Sequence, residues 1–159
     1  MTAIDPDDFI DLARADPLSP AEGRAAWDRA YAALETALAQ AGPAAELFVV
    51  FGIQAGGKST WVRDAGRTAP DHTVFFSGPL PSRGHRERVL GIARRAACAV
   101  TAVWITAPLD EALRRNARRR GLARVPDHVI HHVHERLEAP SRDEGFDRIL
   151  VVDGSAGPA

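Results

Sequence analysis

The chain has 159 residues, with 20 Lys+Arg against 21 Asp+Glu, a formal charge of −1 and 45% hydrophobic residues. That is the size and balance of one globular domain with its own core. It excludes a disordered chain, a basic histone-like protein and, with Cys98 the one cysteine, a disulfide scaffold. Lys58 is the one lysine and Asn116 the one asparagine, in an Ala/Arg-rich background. Rare residues that persist in such a background point to positions where arginine or serine would not serve. No stretch reaches the roughly 20 apolar residues that span a bilayer. Met1–Asp16 is acidic and lacks a basic start and an apolar stretch, and an unpaired cysteine fits a reducing compartment, so a soluble cytoplasmic protein is expected.

The first 45 residues read as two helices. Asp5 caps a short one with Pro6 at its first position, and Asp16-Pro17 lies beyond its end. Ser19-Pro20-Ala21-Glu22 is a capping box. The helix it opens carries Trp27, Tyr31, Leu34 and Leu38 on one stripe, a face that docks on the main domain, and Gly42-Pro43 ends it. From Glu46 the period changes. Leu47–Phe51 is a continuous apolar run of strand length, and similar runs recur at Thr73–Phe76, Ala99–Ile105 and Ile149–Val152. Helical stretches lie between them at Lys58–Gly66, Arg83–Ala97, Leu109–Arg120 and Pro126–Leu137. Strands alternating with helices predict an α/β domain, a mostly parallel sheet covered on both faces. The expected organisation is an N-terminal helical extension over 1–45, the α/β domain over 46–154 and a tail over 155–159.

Charge is uneven. Residues 1–46 hold nine acids and three arginines, whereas 47–159 hold twelve acids and seventeen basic residues. Six arginines, from Arg114 to Arg124, crowd into eleven positions. An anionic ligand is therefore expected on the second part.

Gly52-Ile53-Gln54-Ala55-Gly56-Gly57-Lys58-Ser59-Thr60 matches G-x-x-x-x-G-K-[ST], directly after a strand and opening a helix. Glycines let backbone N–H groups wrap a phosphate chain, and the helix N-terminus adds its positive dipole end. Lys58 supplies a compact charge for the β- and γ-phosphates, and Ser59 a hydroxyl for Mg²⁺. A guanidinium fork is a poor substitute for that point charge, so the lone lysine has a reason to be lysine. The arginine-rich segment that ends the 109–120 helix reads as a lid closing over the phosphates or as a solvated basic face.

Gly57-Lys58-Ser59-Thr60-Trp61, together with Arg115-Asn116-Ala117-Arg118-Arg119 followed by Val125-Pro126, resembles the polynucleotide kinase family of P-loop phosphotransferases. The spacing from Arg86 through Val103 to Pro108-Leu109 and the ending Leu137–Ser141 with Glu144–Asp147 are also similar. The resemblance runs over roughly residues 46–153. It implies a P-loop three-layer αβα sandwich, ATP and Mg²⁺, and γ-phosphoryl transfer to a hydroxyl on a nucleic-acid 5′ end, a nucleoside or another small molecule. Under it Lys58 and Ser59 keep their roles, Arg119 (or Arg120) is the lid arginine with Arg115 beside it, and Asn116 cross-links the lid helix. Arg83 and Arg86 are candidates to bind an anionic substrate.

One departure stands out. The family's second strand ends in an aspartate that deprotonates the acceptor, with an arginine three residues on. Here the strand at Thr73 ends Phe76-Ser77-Gly78-Pro79, with no acid. Substitutes are Asp71, His72, His85, Glu87 and Asp153. The missing acid favours a second reading, an ATP-binding switch with little transfer; a plain NTP hydrolase is third. His128, His131, His132 and His134 mostly face outward from the helix after the lid, and Cys98 reads as packing.

Overall fold

The computed structural model describes residues 1–14 and 16–155, in which five strands form one parallel sheet. In chain order these are β1 (Thr2–Ile4), β2 (Glu46–Phe51), β3 (Thr73–Gly78), β4 (Ala99–Thr106) and β5 (Arg148–Asp153). Five α-helices accompany them: α1 (Pro20–Ala41), α2 (Lys58–Gly66), α3 (Arg83–Ala96), α4 (Leu109–Ala117) and α5 (Asp127–Glu135). The order across the sheet is β1-β3-β2-β4-β5. The apolar runs thus form strands as their composition predicts, and the fold is the expected α/β type with helices on both faces. Of the predicted tail, only Ser155 lies within the described residues.

Strand alternation sorts the core into two layers. Leu47, Val49, Phe51, Val74, Phe76, Val100 and Ala102 face α1 and α3, whereas Val50, Phe75, Val103 and Ile105 face α2. On the first face the stripe of α1 packs as its spacing predicts, with Leu34 and Leu38 buried and Tyr31 stacked on Phe76 at 5.4 Å between ring centroids. Ser19 caps α1 through the anticipated box with Glu22. Trp27 is half-buried at the end of β3, where Gly78 leaves room for its ring: a Cβ there would stand 2.8 Å from Trp27 Cη2.

Two features depart from the sequence reading. The N-terminus does not open with a helix: Thr2–Ile4 is a strand, and the segment after it is a single 3-10 turn, Pro6–Phe9, capped by Asp5. Ile4 pairs with Phe76, so β1 is the sheet's edge beside β3. Helical propensity around Pro6 obscured a strand that stands only because β3 offers it a free edge. Arg86 also changes role. It is wholly buried, and its guanidinium donates to both carboxylate oxygens of Glu144 at 2.8 Å and to the carbonyls of Leu80, Pro81 and Glu138. Burial pushes the Glu144 carboxyl up, but hydrogen bonds from Arg86 and the Ser141 N–H outweigh it and hold the pKa below the usual value. The pair ties the start of α3 to the turn before β5.

Arg86→Ala should cost about 3–5 kcal/mol of unfolding free energy in a urea titration, because it leaves Glu144 buried without its charge partner. A loss under about 1 kcal/mol would contradict the assignment.

Candidate functional site

All strands point the same way, so their carboxyl ends lie along one rim, where open α/β sheets place ligands. A cleft of about 810 Å³ opens on this rim. It is lined by Gln54, Ala55, Gly56, Gly57, Lys58, Ser59 and Thr60 from the loop after β2, by Arg115 and Arg119 from the lid, and by Asp5 and Asp7 after β1.

The loop after β2 is built as a phosphate cradle. Gly57, at the N-cap of α2, has φ +104°, a left-handed conformation that favours glycine and turns the chain into the helix. Lys58 reaches back so that Nζ donates to the Gly52 and Ile53 carbonyls at 3.1 and 2.8 Å. Burial pushes its pKa down to about 8; Arg119 pushes the same way, against the pull of Asp5 and Asp7. Ser59 is exposed at the first turn of α2.

The lid segment is pinned from beneath. Asn116 is fully buried; its amide donates to the Val125 carbonyl and accepts from the Val125 N–H, while also reaching Asp127. The lone asparagine therefore closes the α4–α5 turn with two N–H donors and an acceptor on one side chain, whereas serine has one donor and arginine has no acceptor. Arg115 donates to the Gly154 carbonyl at 2.8 Å and pairs with Glu111, while Arg119 donates to Ala123 within the lid. Arg120 does not line the cleft. The lid also touches the N-terminal segment, with the Leu122 N–H donating to the Leu12 carbonyl at 3.0 Å.

Other candidates fall elsewhere. Arg83 is exposed and pairs with Asp143 at 2.7 Å, and the buried Arg86 is held by Glu144, so neither of these two candidates lines the cleft. Asp71 and His72 precede β3, at the opposite end of the sheet; His85 shares a hydrogen bond with Ser82, and Glu87 is exposed on α3 outside the cleft. Asp153 does line the cleft, on the β5 side, and hydrogen bonds from the Ser155 side chain and its N–H hold the carboxylate's pKa below the usual range. The four histidines of α5 are exposed, and the described residues contain no group of three or more His, Cys, Asp and Glu side chains placed to hold a metal ion. Cys98 is half-buried against the Ala93 carbonyl.

Sequence reasoning passed over the acids that follow β1. β1 ends at Ile4, and Asp5, Asp7 and Asp8 follow on the same rim as the phosphate loop. Asp5 is fixed as a cap: its carboxylate accepts from the Asp7 N–H, and its own N–H donates to Asp8. Asp7 opens into the cleft, where the surrounding chain and then the charge of Asp5 raise its pKa above the ordinary carboxylate value, against the pull of Lys58 and Arg119. The signal was a β-branched pair, Thr2 and Ile4, directly before a dense acidic turn.

Residues 67–140 match the model of a family described as an AAA domain, a stretch that begins after the phosphate loop and includes the lid. No curated protein matches the chain. The parallel sheet with helices on both faces and the glycine-rich loop between β2 and α2 are those of a P-loop NTPase fold, and the partial family match is consistent with it. Among the described residues no helix is long and apolar enough to cross a membrane.

With the Lys58 pKa at about 8, the free protein loses this charge as pH rises through that value, whereas a bound triphosphate favours the charged form. The dissociation constant for ATP should be flat below pH 8 and weaken about tenfold per pH unit above it, measured by calorimetry. Unchanged affinity between pH 7 and 9.5 would show that Lys58 keeps its charge throughout this range in the free protein.

Proposed function

We propose that the protein is a P-loop phosphotransferase that moves the γ-phosphoryl group of ATP to a hydroxyl, with Asp7 as the acceptor's base. The observation that carries the reading is the Asp7 carboxylate opening into the cleft that also holds Lys58, Ser59 and Arg119. Gly52 to Gly57 wrap the phosphates, Lys58 neutralises β/γ charge, and Arg119, with Arg115 beside it, stabilises charge on the transferring group. Mg²⁺ fits as an ion delivered with the nucleotide: Ser59 offers a hydroxyl, and such sites take few protein ligands beside phosphates and water. When bound, the ion would neutralise phosphate charge.

In the transfer, the acceptor hydroxyl gives its proton to Asp7 as its oxygen forms a bond to the γ-phosphorus. The bond from that phosphorus to the β–γ bridging oxygen breaks, and ADP leaves. The raised pKa of Asp7 makes it a stronger proton acceptor than an ordinary aspartate.

This reading also accounts for the departure from the polynucleotide-kinase pattern. Under it the acid is supplied by the turn after β1, which stands ahead of the phosphate loop in the chain and at the sheet edge beside β3. The position three residues after Asp7 is Ile10 rather than arginine. A carboxylate lining the cleft supports transfer over the ATP-binding switch.

Two substitutions test the roles. Lys58→Ala should abolish ATP binding. Asp7→Asn should leave ATP affinity within about twofold and lower transfer of labelled γ-phosphate by about 10²–10⁴-fold. Equal transfer rates in Asp7→Asn and wild type would overturn the base assignment; ATP binding without transfer to any hydroxyl compound would favour the switch.

A further inference from the structure

The cleft has two flanks set by strand order. β4 and β5 lie on one side of the phosphate-loop strand, and β3 and β1 on the other. On the β5 flank stand Asp153, Gly154 and the Arg115 bonded to Gly154. The β1 flank is a different surface. Ile10, Leu18 and Trp27 are half-buried there, Pro79 lines it after β3, and its charged side chains are Asp5 and Asp7. Among the described residues no lysine or arginine lines this flank. The cleft's three cations are committed elsewhere: Lys58 to the phosphate loop, Arg115 to the β5 side, Arg119 to the lid. Trp27 is held in place by Tyr31 at 5.7 Å and Phe76 at 6.3 Å between ring centroids, so its ring is a fixed wall rather than a mobile side chain.

From this wall we infer that the acceptor is a small alcohol with a flat apolar body and no anionic group, and that a nucleic-acid end is excluded. The inference rests on the phosphotransferase reading and names its substrate class. An aromatic or alicyclic body gains by covering Trp27, Ile10 and Leu18. A phosphate or carboxylate on the acceptor would instead face Asp5 and Asp7, because the cations that oppose them, Lys58 and Arg119, are taken up by the triphosphate, and the low-dielectric wall strengthens that repulsion. A nucleic acid needs lysine or arginine along its backbone, and the segment that builds this flank belongs to the acidic part of the chain. An amine on the acceptor would be tolerated, since the two carboxylates complement it.

Three compounds that share a phenyl ring and a hydroxyl separate these terms: 2-phenylethanol (neutral), 2-amino-1-phenylethanol (cationic) and mandelate (anionic). Each is titrated by NMR into the full chain saturated with Mg²⁺ and a non-hydrolysable ATP analogue, beside a 5′-hydroxyl oligothymidylate. The neutral and cationic compounds should shift the Trp27 indole signal, with mandelate and the oligonucleotide at least about tenfold weaker. Ile10→Arg should raise mandelate affinity at least about tenfold while leaving the analogue's affinity unchanged. Mandelate or the oligonucleotide binding as tightly as 2-phenylethanol, or no shift of Trp27 with any compound, would overturn the acceptor class. The phosphotransferase reading is judged separately, by the analogue's own shifts at the Gly52 to Ser59 amides and by the Asp7→Asn transfer rate.

Discussion

Because all five strands run parallel, whatever follows each strand arrives at one rim, whatever its place in the chain. A parallel pair cannot be closed by a tight hairpin, so each strand must be followed by a crossover that begins at that rim. The phosphate loop, the Trp104–Thr106 strand end that leads to the lid, and the acidic turn after β1 converge through this constraint alone. Asp7 and Lys58 are fifty-one positions apart in the chain, and they share a cleft because β1 and β2 both flank β3 in the same direction.

The same geometry segregates charge. The acids stand at the sheet edge and the single lysine at its centre, with Arg115 on the β5 side and Arg119 close enough to Asp7 to act on its charge. The surplus of arginine elsewhere is spent on scaffolding. Arg86 is locked to Glu144, Arg83 to Asp143, and Arg88 and Arg95 link α3 to Asp28 and Glu35 of α1. Exposed pairs of this kind are worth little individually, so their weight is in orientation rather than stability.

Most of the scaffold was legible in sequence because β2 to β5 carry apolar runs and the long α1 opens on a clear capping box. The Ser19–Glu22 box and the switch from helical to strand period at Glu46 both appear where pattern reading places them. The phosphate loop was legible because its glycines and lysine meet a geometric demand at fixed spacing. β1 was not, since three residues carry almost no periodic signal and a strand at an edge exists through its neighbour. Arg86 was misread for a related reason: a guanidinium signals anion binding in any sequence, and only packing shows that Glu144, fifty-eight positions later, is the anion.

The brevity of β1 sets how securely each half of the cleft is held. The phosphate loop hangs on β2, a central strand paired on both sides over its full length, so exposing it requires breaking the core. Asp7 hangs on three residues paired on one side only. Edge segments of this kind open locally at a small fraction of the global unfolding free energy. The hydrogen-exchange hierarchy of the domain therefore divides its cleft, with slow amides beneath the phosphate loop and fast ones along the segment after β1.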